Sequence, residues 1–142
     1  MIALDYGSAR TGVAVSDPTG TIARPLGVVE RAATEAGLER VLQIVRNEGA
    51  ERVVVGLPLS LDGGRGPAAL AVLEECDALA RHIDLPIHTH DERFTTTTAE
   101  RVLADQQLDG RARRKVVDMV AASIILQDWL DRRIENATRE GA

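Results

Sequence analysis

Residues 2–17, Ile2-Ala3-Leu4-Asp5-Tyr6-Gly7-Ser8-Ala9-Arg10-Thr11-Gly12-Val13-Ala14-Val15-Ser16-Asp17, read as two strands joined by a tight turn, with an acid at the end of the first. Ile2, Ala3 and Leu4 are apolar without alternation, the pattern of a strand covered on both faces. Burying a carboxylate at the end of such a strand is costly unless a cation or hydrogen-bond donors compensate it, so Asp5 is a catalytic candidate. Gly7 and Gly12 give the backbone freedom for the turn, and Gly12 to Ser16 returns as the second strand.

Outward from this hairpin, Thr21 to Glu30 predicts a third strand, with Pro25 marking an edge or a bulge. Thr34 suits an N-cap, and Leu38, Val41, Leu42 and Val45 follow at helical spacing until Gly49. Val53-Val54-Val55 predicts a fourth strand, which runs into the glycine-dense stretch from Gly56 to Gly66. Pro67 then opens a helix to about Ile83, with Leu70, Leu73 and Leu79 facing inward. Pro86 to His90 is the fifth strand, followed by Asp91-Glu92-Arg93-Phe94 and a short helix over 96–104. Residues 105–115 read as a mobile basic loop, 115–135 as the last helix, and 136–142 as a frayed tail.

A crossover through a helix delivers a parallel neighbour. Strands four and five therefore run parallel to strand one, with the meander on its other side. The expected fold is α/β: one domain over 1–135, a mixed five-stranded sheet of order 3-2-1-4-5 with strand 2 antiparallel, and helices on both faces. The carboxyl ends of strands one, four and five then share an edge, where ligands of such sheets bind. That edge gathers Asp5, the loop after Gly56, and Asp91-Glu92.

Composition narrows the class. Apolar residues are 44% and charged residues 27% of 142, the balance of a globular protein. Aromatic content is 2%, from Tyr6, Phe94 and Trp129, which argues against single-strand recognition by base stacking. The net charge of -5 argues against nucleic-acid attraction by the overall field, a weak test for an enzyme whose site is built from acids. Lys115 is the single lysine among 17 basic residues; guanidinium groups suit bidentate phosphate contacts and are equally ordinary on helix surfaces. Cys76 stands alone, so a reducing, cytoplasmic compartment is expected, and its spacing from Val72, Leu79 and Ile83 reads as a small buried hydrophobe, the alternative being a surface thiol that could link two chains. No apolar run reaches the roughly 18 residues of a membrane helix.

Asp118 is followed by Ala121, Ala122, Ile125 and Trp129 on one helical stripe, which directs its carboxylate inward where the small alanines let the helix lie close to the sheet. Acids converging from remote segments repel one another unless a cation neutralises them. Mg2+ or Mn2+ suits all-oxygen ligands, and two such ions roughly 3.5–4 Å apart would clamp an in-line phosphodiester displacement. The chemistry implied is nucleic-acid hydrolysis.

The blocks Asp5-Tyr6-Gly7-x-x-Arg10-x-Gly12-Val13-Ala14-x-Ser16-Asp17, Gly56-Leu57-Pro58, Asp62-Gly63 with Gly66, Asp91-Glu92-Arg93-Phe94-Thr95-Thr96, and Asp118 through Ala121-Ala122 to Ile125-Leu126-Gln127 resemble the YqgF/RuvX family. The resemblance implies an RNase H-like fold and a Holliday-junction-resolvase-like nuclease, also implicated in maturing the 5′ end of pre-16S rRNA. It implies Asp5, Glu92 and Asp118 as the metal-binding catalytic acids, with Asp91 the alternative ligand to Glu92. The family usually has a basic residue where this chain has Ala9, and Thr where it has Gly64.

Arg10, Arg93 and Thr95 are candidate phosphate contacts, although each arginine could instead pair with a neighbouring acid and Thr95 could cap a helix. Arg111, Arg113, Arg114 and Lys115 form a basic cluster just before Asp118, either a phosphate-attracting rim or a solvated loop. Asp17, beside Pro18 and Gly20, reads as a turn former. His88 and His90 lack a third ligand at zinc spacing and read as a solvated strand face. The partner expected is branched DNA or precursor rRNA, without a membrane, and a two-fold junction would call for a homodimer. A non-catalytic nucleic-acid-binding or ribosome-assembly factor of the same fold is the competing expectation.

Overall fold

Strand β1 (Ile2–Tyr6) lies at the centre of a five-stranded sheet whose order is β3-β2-β1-β4-β5. A computed structural model of the chain describes residues 1–7, 9–60, 62–94 and 110–141, with the backbone alone for residues 94, 111–113 and 135–141. The other elements are β2 (Arg10–Ser16), β3 (Ala23–Glu30), α1 (Glu35–Asn47), β4 (Val53–Leu57), α2 (Pro67–Ala80), β5 (Ile87–Asp91), a single 3-10 turn (Glu92–Phe94) and α3 (Gly110–Gly141). β2 is antiparallel to β1 and β3, and β4 runs parallel to β1 and β5, as the crossover argument expects.

Each local signal has a visible cause. The Gly7 amide donates to the Arg10 carbonyl at 2.8 Å and closes the first hairpin. Pro25 sits on an edge strand, where the register slips between Val13 and Ala14, so both readings of that proline hold. The Thr34 hydroxyl accepts from the Gly37 amide at 3.1 Å and caps α1.

Period-two alternation divides the core between the two faces of the sheet. On one face Ile2, Leu4, Val13, Val15, Val53 and Val55 pack under α1 and α2. On the other, Ala3, Ala14 and Val54 pack under Ala122, Ile125, Leu126 and Leu130 of α3. The second face is paved with small residues, so α3 lies close to the sheet. At Gly12 an added Cβ would fall well inside 3.0 Å of the Asp118 carbonyl oxygen. Gln127 fastens the helix further, accepting from the Ala23 amide and donating to the Thr21 carbonyl, both at 2.9 Å.

Three expectations need correction. Leu79 is buried as expected, but Leu70 is 52% exposed and Leu73 only partly buried; the rest of the buried stripe of α2 is Ala69 and Val72, at offsets of ten and seven from Leu79. The last helix begins at Gly110, so Arg114 and Lys115 stand on its opening turns and not in a loop. His88 and His90 face α3 and not solvent, because they share the strand face that the helix covers. The helix expected over 96–104 lies outside the described residues. Among those residues no helix is long and apolar enough to cross a membrane.

Candidate active site

Because Ala3 and Val54 face α3, alternation turns Asp5 and Gly56 to that same face at the carboxyl edge of β1 and β4. The 3-10 turn after β5 carries Glu92 over Gly56: an added Cβ there would collide with Glu92 Oε1 and stand 2.7 Å from Ile125 Cδ1. Glycine at position 56 is therefore the space into which the Glu92 carboxyl folds. Glu92 is hydrogen-bonded to Asp5, and burial, then the Asp5 bond, then the charges of Asp5 and Asp91 push its pKa up to about 9. It keeps its proton at neutral pH in the metal-free protein.

Asp118 reaches the same region from α3. Its backbone is seated on Gly12, and Gly12 is the β2 partner of Asp5 in the β1–β2 register. Its side chain turns onto β2, where Arg10 Nε donates to Asp118 Oδ2 at 2.7 Å; the two side chains are 26% and 23% exposed. The structure thus brings Asp5 and Glu92 into contact and engages Asp118 with Arg10. Among the described residues no three acids, histidines or cysteines form a ready-made metal-holding group. The oxygen-only pair of Asp5 and Glu92, one of them a buried acid holding a proton, does fit a hard divalent cation, which would take that proton's place.

The neighbouring acids have other partners. Asp91 accepts from Arg93 Nη2 at 2.6 Å, from Nε at 2.9 Å and from the Arg93 amide at 3.0 Å. Those donors, the Arg93 side chain first, hold its carboxyl below the usual carboxylate range. Glu92, and not Asp91, is the member of that adjacent pair bonded to Asp5. Asp62 accepts from Ser60 Oγ at 2.5 Å and from the Gly64 amide at 2.9 Å, which closes the glycine loop beside Arg93. Asp17 lies at the opposite sheet edge and accepts from Thr19 Oγ1, the Thr21 amide and the Ile22 amide, the turn-forming role expected of it. A surface concavity at that far edge, of about 910 Å3, is lined by Asp17, Glu48 and Glu51 together with Arg24 and Arg133, and none of Asp5, Glu92 and Asp118 lines it.

Of the expected phosphate contacts, Arg10 and Arg93 both engage acids, as just described. Arg114 and Lys115 are exposed on α3, four and three residues before Asp118 and so on its side of the helix. Thr95 and the side chains of Arg111 and Arg113 lie outside the described residues. Sequence reasoning missed the tie between β5 and α3: His90 Nε2 meets Asp128 Oδ2 at 2.6 Å, Arg132 Nε donates to the same oxygen at 2.9 Å, and His88 packs on Trp129 at 5.2 Å. The signal that could have found it is the spacing of His88 and His90 at period two, which puts both on one strand face, together with Trp129 on the apolar stripe of the last helix.

Comparison with known proteins agrees with this arrangement. A family model described as RuvX, Holliday junction resolvase, matches residues 1–132. A relative from Roseiflexus sp. (strain RS-1), provisionally named a pre-16S rRNA nuclease, is 45% identical over 131 residues, 92% of this chain and 93% of the relative. One from Moorella thermoacetica with the same name is 43% identical over 136 residues, 96% and 97% of the two chains. Among solved structures, Thermus thermophilus RuvC in complex with Holliday junction substrate superposes with a TM-score of 0.57 at 18% identity, covering 94% of this chain and 96% of that one. The fowlpox virus Holliday junction resolvase gives 0.53 at 11%, covering 93% and 99%. The two structures share the RNase H-like fold, and with the family model and relatives above 40% identity spanning nearly its whole length, this chain belongs to the RuvX (YqgF) family.

Proposed function

We propose that this chain is a metal-dependent endonuclease that hydrolyses phosphodiester bonds of structured nucleic acid: Holliday junction DNA, the 5′ end of pre-16S rRNA, or both. The observation that carries this reading is the bond between Glu92 and Asp5 at the carboxyl edge of the sheet. An acid that holds its proton only through burial and a second acid stands where a cation would be held. Membership of the RuvX family and the names of its relatives support the same reading.

Asp5, Glu92 and Asp118 would hold Mg2+ or Mn2+, in two positions, once Glu92 has released its proton and Asp118 has left Arg10. The ions would supply positive charge to the scissile phosphodiester. Asp91 fixes the turn that carries Glu92 by gripping Arg93. Arg10, Arg93, Thr95, Arg111, Arg113, Arg114 and Lys115 would meet the phosphate backbone along the rim; such contacts position a substrate without reading its bases. A two-fold junction would engage two copies of the site, hence a homodimer.

The test is cleavage of a four-way DNA junction and of a precursor rRNA 5′ leader with Mg2+ or Mn2+, comparing the parent with Asp5→Asn. Metal-dependent product that disappears in the variant is expected; equal cutting by both ends the assignment. A second reading, a non-catalytic nucleic-acid-binding or assembly factor, is favoured by the engagement of Asp118 with Arg10. It predicts binding that survives chelator and no product at any metal concentration.

A further inference from the structure

We propose that Arg10 is a positioning residue that keeps Asp118 occupied until a phosphodiester takes over its guanidinium, so that nucleic acid itself opens the third acid of the site to a cation. The inference rests on the metal-dependent reading above and concerns how the site is assembled.

Three observations carry it. The Nε of Arg10 is spent on Asp118 at 2.7 Å, and Asp118 is the hydrogen-bond partner found for that guanidinium among the described residues. Its two terminal nitrogens therefore remain as a fork of donors suited to a phosphate, on a side chain 26% exposed. Second, α3 is already in close contact with the sheet at this point, the Asp118 carbonyl resting on Gly12, so the helix cannot carry Asp118 further inward. Access of Asp118 to a cation is then a matter of its side-chain torsions, not of helix movement. Third, Glu92 already turns to Asp5 and Asp91 to Arg93, which leaves Asp118 as the acid whose partner must change before three carboxylates can converge.

The exchange is energetically accessible. Both side chains reach solvent, and ion pairs of that exposure are weak and readily traded for another partner of like charge. A phosphodiester offers the guanidinium a bidentate partner in exchange for its single bond to Asp118, and the released carboxylate would then face a dication. Substrate and the second cation would accordingly bind with positive cooperativity, each favouring the arrangement the other needs.

The experiment titrates Mn2+ into the metal-free parent, Arg10→Gln, Arg10→Lys and the double variant Arg10→Gln with Asp118→Asn, following free Mn2+ by electron paramagnetic resonance. Affinity of the same proteins for a four-way DNA junction is measured in chelator as a function of salt. Arg10→Gln should raise affinity for the weaker Mn2+ by about tenfold, and the double variant should lose that gain. Arg10→Lys keeps the charge and should stay near the parent for Mn2+. Arg10→Gln should also lower junction affinity and reduce its salt slope by about one. If Arg10→Gln binds Mn2+ as the parent does, or more weakly, the role of Arg10 is overturned while the metal site stands. If neither protein binds Mn2+, the reading on which this inference rests is overturned with it.

Discussion

Replacing Glu92 by Gln should change the pH dependence of stability more than stability itself. In the metal-free native chain the Glu92 pKa is about 9, against an ordinary value of 4.5, because of burial and the bond to Asp5. Between those values the native protein holds a proton that the unfolded chain has lost. Stability therefore falls as pH rises through that window, at up to about 1.4 kcal/mol per pH unit for one proton. From pH 6 to pH 8 the parent should lose about 3 kcal/mol through this group. Glutamine is neutral at every pH and its amide can donate to Asp5 as the protonated acid does. Glu92→Gln should thus match the parent near pH 5 to 6 and exceed it progressively above, by about 2–3 kcal/mol at pH 8. Urea unfolding in chelator at pH 6, 7 and 8, followed by circular dichroism, measures the difference between the two slopes, from which the histidines common to both proteins cancel. Parallel pH profiles would refute the claim that Glu92 is held protonated.

Gly12→Ala should destabilise the fold by about 1–3 kcal/mol, since its methyl group must push α3 off the sheet at Asp118; an unchanged melting temperature would contradict that close approach. Under the nuclease reading the displaced Asp118 should also cost on the order of 100-fold in cleavage rate. Cys76 is half-buried, and burial, followed by the charges of Asp77 and Glu75, pushes its thiol up to about 11. Iodoacetamide should therefore label it slowly in the native protein and quickly in urea; equal rates would put the thiol at the surface. Arg114→Ala and Lys115→Ala, both exposed beside Asp118, should each lower the salt slope of junction binding by about one, whereas an unchanged slope would make them solvated helix residues only.

Much of the architecture was legible because the apolar patterns were unambiguous. Val53-Val54-Val55 and Ile2-Ala3-Leu4 fit strands buried on both faces, and helical crossovers leave few topologies for the sheet. The start of α3 was misplaced because Arg111 to Lys115 is polar in composition, yet composition does not stop a helix when the chain beyond it is anchored by Ala122, Ile125 and Leu126. Leu70 stands about 100° round the helix from Ala69 and so off the stripe of Ala69, Val72 and Leu79, a position that its apolar side chain alone does not reveal.

Within the site, the face and the edge could be read from alternation and from Asp118 on its apolar stripe. Partner choice could be read only in part: pairing of each arginine with a neighbouring acid was one of the two expectations, and Arg93 meets it with Asp91, but that Arg10 chooses Asp118 and that His90 meets Asp128 depends on where long side chains end, which no periodicity encodes. Sequence also did not reveal that Gly12 and Gly56 are clearances, one for a helix backbone and one for the Glu92 carboxyl; both glycines had read only as turn or loop formers.

The central claim, that the Asp5–Glu92 pair is a cation site filled by a proton, is tested most directly by calorimetric titration of Mn2+ into the metal-free protein at pH 7, in two buffers of different ionisation enthalpy. The account predicts release of about one proton with the first ion bound, and loss of that binding in Asp5→Asn. Binding without proton release, or binding that Asp5→Asn leaves intact, would contradict it.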